Sequence, residues 1–312
     1  MSERIPVWID TDAGVDDAMA LLAAGRLDKL DIRGISAVAG NVEVSHTFDN
    51  ARKVCRLMGR EDIPVYRGAE RPLMKPLNTA PLVHGVDGLG GAELPPSEAP
   101  VLTLPAWDAL YAAAQAAEGE LQVAAIGPLT NLAIAFGKYP RLKKLLKRIV
   151  IMGGAAKGGN VTPAAEFNIY GDPHAAQAVF KSGVPVVMCG LDVTLQVYFV
   201  REEIREIGRH DTPVCRFIEE STKLVLAFSE RVGSQPGMCL HDSCPILFLT
   251  HPQLFSGQEA GVYVETRGAI TEGKTVTDLW SDKQFPEKNA FVVLGADAPA
   301  IKKLVCGLLE SY

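Results

Sequence analysis

Four aspartates lie within eight residues near the amino terminus of the chain, in the segment DTDAGVDD: Asp10, Asp12, Asp16 and Asp17. The segment begins where an apolar, strand-like run ends, turns at Gly14 and then continues into a helix-like sequence. Carboxylates this close repel one another, and keeping all of them ionised costs free energy unless a cation is present. A hard divalent cation with oxygen ligands would remove the conflict. This aspartate cluster therefore predicts a metal site.

A purely structural explanation accounts for only part of the aspartate cluster. Asp16 and Asp17 would suit the first turn of a helix, whose dipole favours negative charge, and Asp12 could cap that helix. The explanation leaves open why Asp10 and Asp12 stand at the end of an apolar strand.

The elements around the aspartate cluster predict an α/β protein with a mainly parallel sheet flanked by helices. Short apolar, β-branched runs alternate with longer helix-like stretches, which is typical of parallel strands joined by crossover helices. The predicted strands are 5–10, 31–38, 121–126, 148–152 and 184–190, and the predicted helices are 16–25, 43–58, 106–118, 128–137, 172–182 and 212–231.

The carboxyl-terminal part predicts a small antiparallel extension of the sheet. From about residue 260 the sequence GVYVETRGAITEGKTVTDLW contains two runs rich in Val and Thr, separated by glycine-containing turns. A strand at 289–294 and a helix at 297–310 follow. Residues 68–105 form the longest irregular stretch, and we expect the whole chain, 1–312, to be one domain.

Polar residues follow each of the five predicted parallel strands. The segments are DTDAGVDD, AGN, GPLTN, GG and LDVT, in chain order. Open parallel sheets bind ligands beyond the carboxyl ends of their strands. The five segments therefore predict one site at that edge of the sheet.

Composition argues against several classes of partner. The net charge is −6, from 31 basic and 37 acidic residues, and the basic residues are scattered, so binding to nucleic acid or to an anionic membrane is not expected.

The six cysteines show no CxxC pair and no zinc-site spacing, which is typical of reduced thiols. No apolar run approaches membrane-spanning length, and we expect a cytoplasmic protein.

The segment DTDAGVDDA resembles the amino-terminal signature of the nucleoside hydrolase family, which is usually DTDPGxDDA. Ala13 replaces the common proline, at a position that supplies a turn and no side-chain chemistry. The resemblance covers nearly the whole chain in order, through AGN at 39–41, HGVDGLG at 84–90, GPLTN at 127–131, MGG at 152–154, NVTPAAEFNIYGDP at 160–173 and HD at 241–242.

The resemblance implies hydrolysis of the N-glycosidic bond of purine or pyrimidine ribonucleosides, or both, to free base and ribose. It also implies a Ca²⁺ ion held by Asp12, Asp17, the backbone carbonyl of Thr130 and Asp242. The ribose would be held by Asp16, Asn41, Asn160, Glu166 and Asn168, with Met152 and Phe167 packed beside the ring. Assembly as a homodimer or homotetramer is implied by the resemblance as well.

The expected reaction passes through an oxocarbenium-like ribosyl cation. The resemblance assigns activation of a Ca²⁺-bound water to Asp12, helped by Asn41, and protonation of the leaving base to His241. Histidine titrates near neutral pH, which suits an acid, although a helix-cap or core histidine is the alternative for His241. His84 would contact the base or be a solvated loop histidine, and Asp87 is left out of the site.

A histidine at position 241 favours the family branch of inosine-uridine and pyrimidine-preferring hydrolases. Base recognition would involve a helix near 222–235, where Phe228, Arg231 and Gln235 either face the base or pack and solvate the helix.

Two other functions remain open from the residues. A DxD after the first strand also opens phosphatases of the haloacid-dehalogenase type, although AGVDD departs from their DGT-like continuation, and such an enzyme would release phosphate. A non-catalytic ribonucleoside-binding protein would keep the pocket but release no ribose.

Overall fold

The protein is described by a computed structural model that covers residues 4–233, 237–280, 284–285 and 287–312. Its strands are β1 (Ile5–Thr11), β2 (Leu30–Ala37), β3 (Val65–Arg67), β4 (Leu121–Ala125), β5 (Leu146–Met152), β6 (Val186–Cys189), β7 (Tyr198–Phe199), β8 (Met238–Cys239), β9 (Phe255–Val264), β10 (Thr275–Asp278) and β11 (Ala290–Ala296).

Helices follow or precede most of these strands. They are α1 (Val15–Gly25), α2 (Val44–Leu57), α3 (Pro81–His84), α4 (Ala106–Ala116), α5 (Thr130–Lys138), α6 (Phe167–Gly171), α7 (Pro173–Phe180), α8 (Leu191–Thr194), α9 (Arg201–Gly208), α10 (Pro213–Val232), α11 (Ser243–Thr250) and α12 (Ala298–Glu310). Short 3-10 helices cover Pro140–Lys144 and Pro252–Leu254. Within the described ranges, no helix is both long enough and apolar enough to cross a membrane.

Nine of the strands form one sheet in the order β10-β9-β11-β6-β5-β4-β1-β2-β3. The strands from β11 to β3 are all parallel, whereas β9 pairs antiparallel with both β11 and β10. β7 and β8 form a separate antiparallel pair. The predicted fold class is confirmed: a mainly parallel sheet, flanking helices and a small antiparallel extension toward the carboxyl terminus.

Both faces of the sheet are covered, which explains why its central strands read as continuous apolar runs. Every residue of β4 and of β6 is buried. In β1, Val7 and Ile9 belong to the core on one face and Trp8 to the core on the other face. Helices α1, α2, α11 and α12 cover the first face, and α4, α5 and α7 cover the second.

The five predicted parallel strands are all present, with ends that differ from the prediction by a few residues. The sequence analysis did not predict the short elements β3, α6 and α8, or the eight-residue helices α9 and α11. Helix α3 is a single turn inside the stretch 68–105, which is otherwise largely irregular. The pieces of five residues or fewer are too short for a hydrophobic period to be visible in the sequence.

The turn between β1 and α1 brings the carboxyl edge of the sheet close to the helix. A Cβ atom on Gly14 would lie 2.6 Å from Asn41 Nδ2 and 2.7 Å from His84 Nδ1. Because glycine has no Cβ, these two side chains can approach the backbone between the strand and the helix. The turn thereby places the aspartate cluster beside residues that follow other strands.

Candidate active site

A cavity of about 620 Å³ opens at the carboxyl ends of the parallel strands. Its wall contains most of the residues that the sequence analysis placed in the site: Asp12, Asp16, Asn41, His84, Met152, Asn160, Glu166, Phe167, Asn168, His241 and Asp242. The two remaining predicted residues, Asp17 and Thr130, are buried, with exposures of 0% and 1%.

Four carboxylates meet at the bottom of this cavity, and we call Asp12, Asp16, Asp17 and Asp242 the acidic site. Carboxylate oxygens of Asp16, Asp17 and Asp242 lie within 4.8 Å of one another. Asp12 is near enough for its charge to raise the pKa of Asp242. Asp242 directly precedes α11, and so it joins the acidic site from a helix far along the chain.

Asn41 connects two of these carboxylates. Its backbone N–H donates to Asp12 Oδ2 at 2.7 Å, and its side-chain Nδ2 donates to Asp17 Oδ2 at 3.0 Å. Asp17 also accepts from Thr11 Oγ1 at 2.5 Å and from the Gly14 backbone N–H at 2.9 Å. Both carboxylates are therefore held in one orientation by neighbours on β1 and on the loop after β2.

Burial and mutual repulsion raise the pKa values of the carboxylates in the acidic site. Burial, followed by repulsion from Asp16, raises the pKa of Asp17 to about 6. Burial and neighbouring carboxylates also raise the pKa of Asp12 and of Asp242 well above their usual range. Within the described residues, Asp12 Oδ1 and Asp16 Oδ1 are buried without a hydrogen-bond partner. This donor set fits a hard divalent cation, so the acidic site could hold a metal ion.

Asp10 has a different role from its neighbours in the aspartate cluster. It accepts hydrogen bonds from Ser36 Oγ and, at 2.7 Å, from Asn131 Nδ2. Burial raises its pKa to about 7 against the effect of these bonds. Asn131 Oδ1 in turn accepts from the Ala69 backbone N–H at 2.8 Å. Asp10 thus ties β1 to β2 and to α5 beneath the acidic site.

Thr130 begins α5 directly after the loop that follows β4. Its hydroxyl donates to Asp172 Oδ2 at 2.8 Å. The same oxygen of Asp172 accepts from the Leu73 backbone N–H at 2.8 Å. Asp172 therefore fixes the start of α5 and the stretch leading to Asn78 and Thr79, which also line the cavity.

The segment around Glu166 forms another part of the cavity wall. Glu166 accepts from the backbone N–H groups of Gly154 and Asn168, both at 2.9 Å, and of Ile169 at 3.1 Å. Burial raises its pKa to about 7 in spite of these bonds. Asn168 Nδ2 donates to the carbonyls of Ile126 and Met152, at 3.0 and 3.2 Å. Its Oδ1 is then the atom of that amide suited to accept from a ligand.

Two histidines in the cavity wall are held in defined positions. His241 Nδ1 lies 2.8 Å from Thr194 Oγ1. Burial lowers the pKa of His241, and the charge of Asp16 acts in the opposite direction. His84 Nδ1 accepts from the Val15 backbone N–H at 3.2 Å, so a neutral ring carries its proton on Nε2. His84 is only 8% exposed, which rules out a solvated loop histidine, and burial lowers its pKa to about 4.

Helix α10 gives the cavity an apolar side. Val225, Phe228 and Val232 line it from one face of the helix. Arg231 is not part of the wall, and its guanidinium lies 5.6 Å from the centre of the Phe228 ring. Gln235 lies outside the described residues.

The sequence analysis missed several residues of this site, including Thr194, Cys239, Asn78 and Thr79. Of these four residues, only Thr194 could have been found from the sequence, because it belongs to the polar segment LDVT after a predicted strand.

Comparisons with known proteins find relatives that match nearly the whole chain. The profile of the family described as inosine-uridine preferring nucleoside hydrolase matches residues 7–303. The pyrimidine-specific ribonucleoside hydrolase RihA of Citrobacter koseri is 42% identical over 311 residues, which cover 99% of each chain.

Two solved structures share the fold. A plant nucleoside hydrolase, PpNRh1, superposes with a TM-score of 0.92 at 32% identity, covering 98% of this chain and 99% of the other. A purine-preferring ribonucleoside hydrolase from Gardnerella vaginalis superposes with a TM-score of 0.91 at 30% identity, covering 98% and 100%.

The fold, the cavity and these similarities define the class of protein as an enzyme that hydrolyses the N-glycosidic bond of ribonucleosides. The chain belongs to the inosine-uridine preferring nucleoside hydrolase family.

Proposed function

We propose that residues 1–312 form one nucleoside hydrolase domain that uses Ca²⁺ and the cavity at the sheet edge to cleave ribonucleosides. The observation that carries the proposal is the shared cavity, because three carboxylates of the acidic site line the same cavity as the groups suited to sugar hydroxyls. The carboxylates are Asp12, Asp16 and Asp242, and the other groups are Asn160, Glu166 and Asn168. A sugar bound there would contact both groups at once.

The proposed ligands of the cation are Asp12, Asp17, the backbone carbonyl of Thr130 and Asp242. Asp16 lines the cavity beside them and is proposed to accept from a ribose hydroxyl. Bound Ca²⁺ would favour the ionised carboxylates, attract oxygen atoms of the substrate and lower the pKa of a nearby water.

Asp12 is proposed to take the proton from the attacking water. Its Oδ2 is fixed by the Asn41 backbone N–H, whereas its buried Oδ1 has no hydrogen-bond partner among the described residues. That oxygen can hold the water and accept its proton as the bond to C1′ forms. Asn41 would keep Asp12 and Asp17 aligned during this step.

The remaining proposed contacts concern the sugar and the leaving base. Asn160, Glu166 and Asn168 would hold ribose hydroxyls, with Met152 and Phe167 beside the ring. The Glu166 carboxylate and Asn168 Oδ1 also place negative charge near the oxocarbenium-like transition state. His241 would donate a proton to the departing base, and His84 would contact the base through its Nε2–H.

We propose pyrimidine ribonucleosides as the preferred substrates. The pyrimidine-specific relative is 42% identical over 311 residues, whereas the purine-preferring enzyme described above is 30% identical. Val225, Phe228 and Val232 offer an apolar side against which a flat base can pack. We also propose a homodimer or homotetramer that works in the cytoplasm, and light scattering would measure its oligomeric state.

A substrate panel tests the proposed function. Purified protein is incubated with inosine, adenosine, guanosine, uridine and cytidine, with and without a chelator, and free base and reducing sugar are measured. We expect release of base and ribose, fastest from a pyrimidine nucleoside, and its loss in chelator with recovery on adding Ca²⁺. Metal-dependent binding without ribose release would instead favour a binding protein, and phosphate release from phosphomonoesters would favour a phosphatase.

Calcium should also raise the thermal stability of the protein, because a cation neutralises the repulsion within the acidic site. At a free Ca²⁺ concentration of one hundred times Kd, binding adds about 2.7 kcal/mol to the free energy of unfolding. We expect the Tm to rise by about 5 °C. The measurement is a thermal melt at fixed pH, with Ca²⁺ titrated into chelator-treated protein.

Two variants test whether the rise in Tm comes from Ca²⁺ bound at the acidic site. Asp242→Asn should need much more Ca²⁺ for the same rise, whereas Asp49→Asn, an exposed carboxylate on α2, should respond like the wild type. An unchanged melting curve up to millimolar Ca²⁺ would contradict the proposal that the acidic site binds Ca²⁺.

A further inference from the structure

The segment between β5 and α6, residues 153–166, forms part of the cavity wall, and we call it the sugar loop. It contributes Asn160 and Glu166 to the wall. Asn160 Oδ1 accepts from the Phe167 backbone N–H at 2.9 Å, so Nδ2 is the end of that amide suited to a sugar hydroxyl. Four of the residues of the loop are glycines, at 153, 154, 158 and 159, which leave its backbone with much conformational freedom.

A lysine from the distant hairpin between β9 and β10 holds the first half of the sugar loop. Lys274 Nζ donates to the backbone carbonyls of Ala155 at 2.9 Å, Ala156 at 3.1 Å and Gly158 at 3.4 Å. The next residue, Thr275, accepts from the Ala155 N–H at 2.8 Å and donates to its carbonyl at 2.8 Å. The hairpin therefore contacts the loop through a cation and a hydroxyl.

An aspartate from α8 holds the backbone amides of the same stretch. Asp192 Oδ2 accepts from the Ala156 N–H at 2.6 Å, and its Oδ1 accepts from the Lys157 N–H at 3.1 Å. Asp192 belongs to the segment LDVT, which the sequence analysis placed at the site without a role. Its neighbour Thr194 contacts His241, so α8 touches both the sugar loop and the expected acid.

The two side chains are complementary to the backbone groups they bind. Lys274 has only donors and meets carbonyls, whereas the Asp192 carboxylate has only acceptors and meets N–H groups. Both side chains are partly buried. Burial lowers the pKa of Lys274, and the charge of Asp192 opposes this shift, which places the two charges within electrostatic reach of each other. Charge-assisted bonds of this kind are stronger than those between neutral groups.

We infer that Lys274 and Asp192 are positioning residues that fix the sugar loop, and with it the place of Asn160 in the cavity. The inference rests on the proposed function for the role of Asn160 toward the sugar. Neither side chain lines the cavity, so each acts through the loop backbone. Without Lys274, the carbonyls of Ala156 and Gly158 lose their shared donor, and the glycines let the loop move.

The test compares Lys274→Met with Lys274→Arg and with Lys147→Met, a matched control on the surface, where Lys147 pairs with Glu120 at 2.5 Å. Loss of one sugar contact should raise the KM for uridine about fivefold in Lys274→Met, with kcat within about twofold of wild type. Lys274→Arg should have a KM close to that of the wild type, because its guanidinium also donates to carbonyls. Lys147→Met should match the wild type.

A double variant separates positioning from a general structural effect. In the Asn160→Ala background the contact is already absent, so adding Lys274→Met should change KM by less than about twofold. Asp192→Asn, which keeps the shape of the side chain, should raise KM in the same direction as Lys274→Met. An equal KM increase with and without Asn160 would overturn the inference, as would a wild-type KM in Lys274→Met.

Hydrogen exchange gives a readout that does not depend on activity. Amides of 155–160 should exchange faster in Lys274→Met than in Lys147→Met, while those of β4 and β5 exchange at wild-type rates. Unchanged exchange in 155–160 would overturn the inference even if KM rose. If the wild type hydrolysed none of the nucleosides, the proposed function would fail, and the exchange rates would still decide whether Lys274 fixes the loop.

Discussion

Replacing Asp12 with asparagine should lower the kcat for ribonucleoside hydrolysis by about a thousandfold or more, within the range ascribed to general acid–base groups. Asparagine keeps the shape of the side chain and an oxygen that can accept from the Asn41 backbone N–H. It cannot take a proton from water at the buried Oδ1 position, and it removes one negative charge from the acidic site. The measurement is kcat and KM with uridine at saturating Ca²⁺.

The same variant should remain folded, because it removes repulsion. Burial and the charge of Asp17 raise the pKa of Asp12 well above its usual range, which shows that the ionised form is disfavoured in the metal-free protein. In chelator, the Tm of Asp12→Asn should therefore equal or exceed that of the wild type.

Asp49→Asn is the control, since it makes the same chemical change on the exposed side of α2. Wild-type turnover by Asp12→Asn would exclude Asp12 from the mechanism. A collapse of the Tm in chelator would show that Asp12 supports the fold.

The parallel sheet could be predicted because its strands carry their own signal. Strands such as β4 and β6 are buried along their whole length and read as short apolar runs. The position of the site followed from the same pattern, since the carboxyl ends of parallel strands meet at one edge. This is why Asp12 and Asn41, which belong to the polar segments after two predicted strands, could be placed at one edge of the sheet from the sequence.

The division of roles within the aspartate cluster could not be predicted from spacing. Asp10 belongs to β1 and Asp12 directly follows that strand, so the two-residue period of a strand would predict the same face for both side chains. Asp10 nevertheless binds Asn131 and Ser36, whereas Asp12 lines the cavity. The difference arises from the partners that other strands and α5 bring to each carboxylate.

Contacts between distant segments were also invisible in the sequence. Lys274 and Ala155 are 119 positions apart, and the bond between them depends on how the β9–β10 hairpin meets the loop after β5. A lysine in a Thr-rich hairpin has no local feature that separates it from a solvated surface residue. Such residues can be found only when the tertiary structure shows which backbone groups they meet.

The acid role assigned to His241 predicts an effect that depends on the leaving group. His241→Ala should lower kcat/KM for uridine or inosine by about a hundredfold or more, because the departing base then leaves without a proton. With p-nitrophenyl riboside, whose leaving group is stable as an anion, the loss should be below about tenfold. The measurement is the ratio of the two losses at one pH and at saturating Ca²⁺.

The surroundings of the His241 ring support a larger loss with nucleosides than with p-nitrophenyl riboside. Thr194 Oγ1 lies 2.8 Å from Nδ1 and fixes the ring, and Nε2 is the nitrogen proposed to donate the proton to the base. Burial lowers the pKa of His241, which makes its protonated form a stronger acid, and the Asp16 carboxylate favours taking the proton up again. His46→Ala, an exposed histidine on α2, is the matched control and should leave both substrates unaffected. Equal losses on the two substrates would mean that His241 positions the substrate and donates no proton.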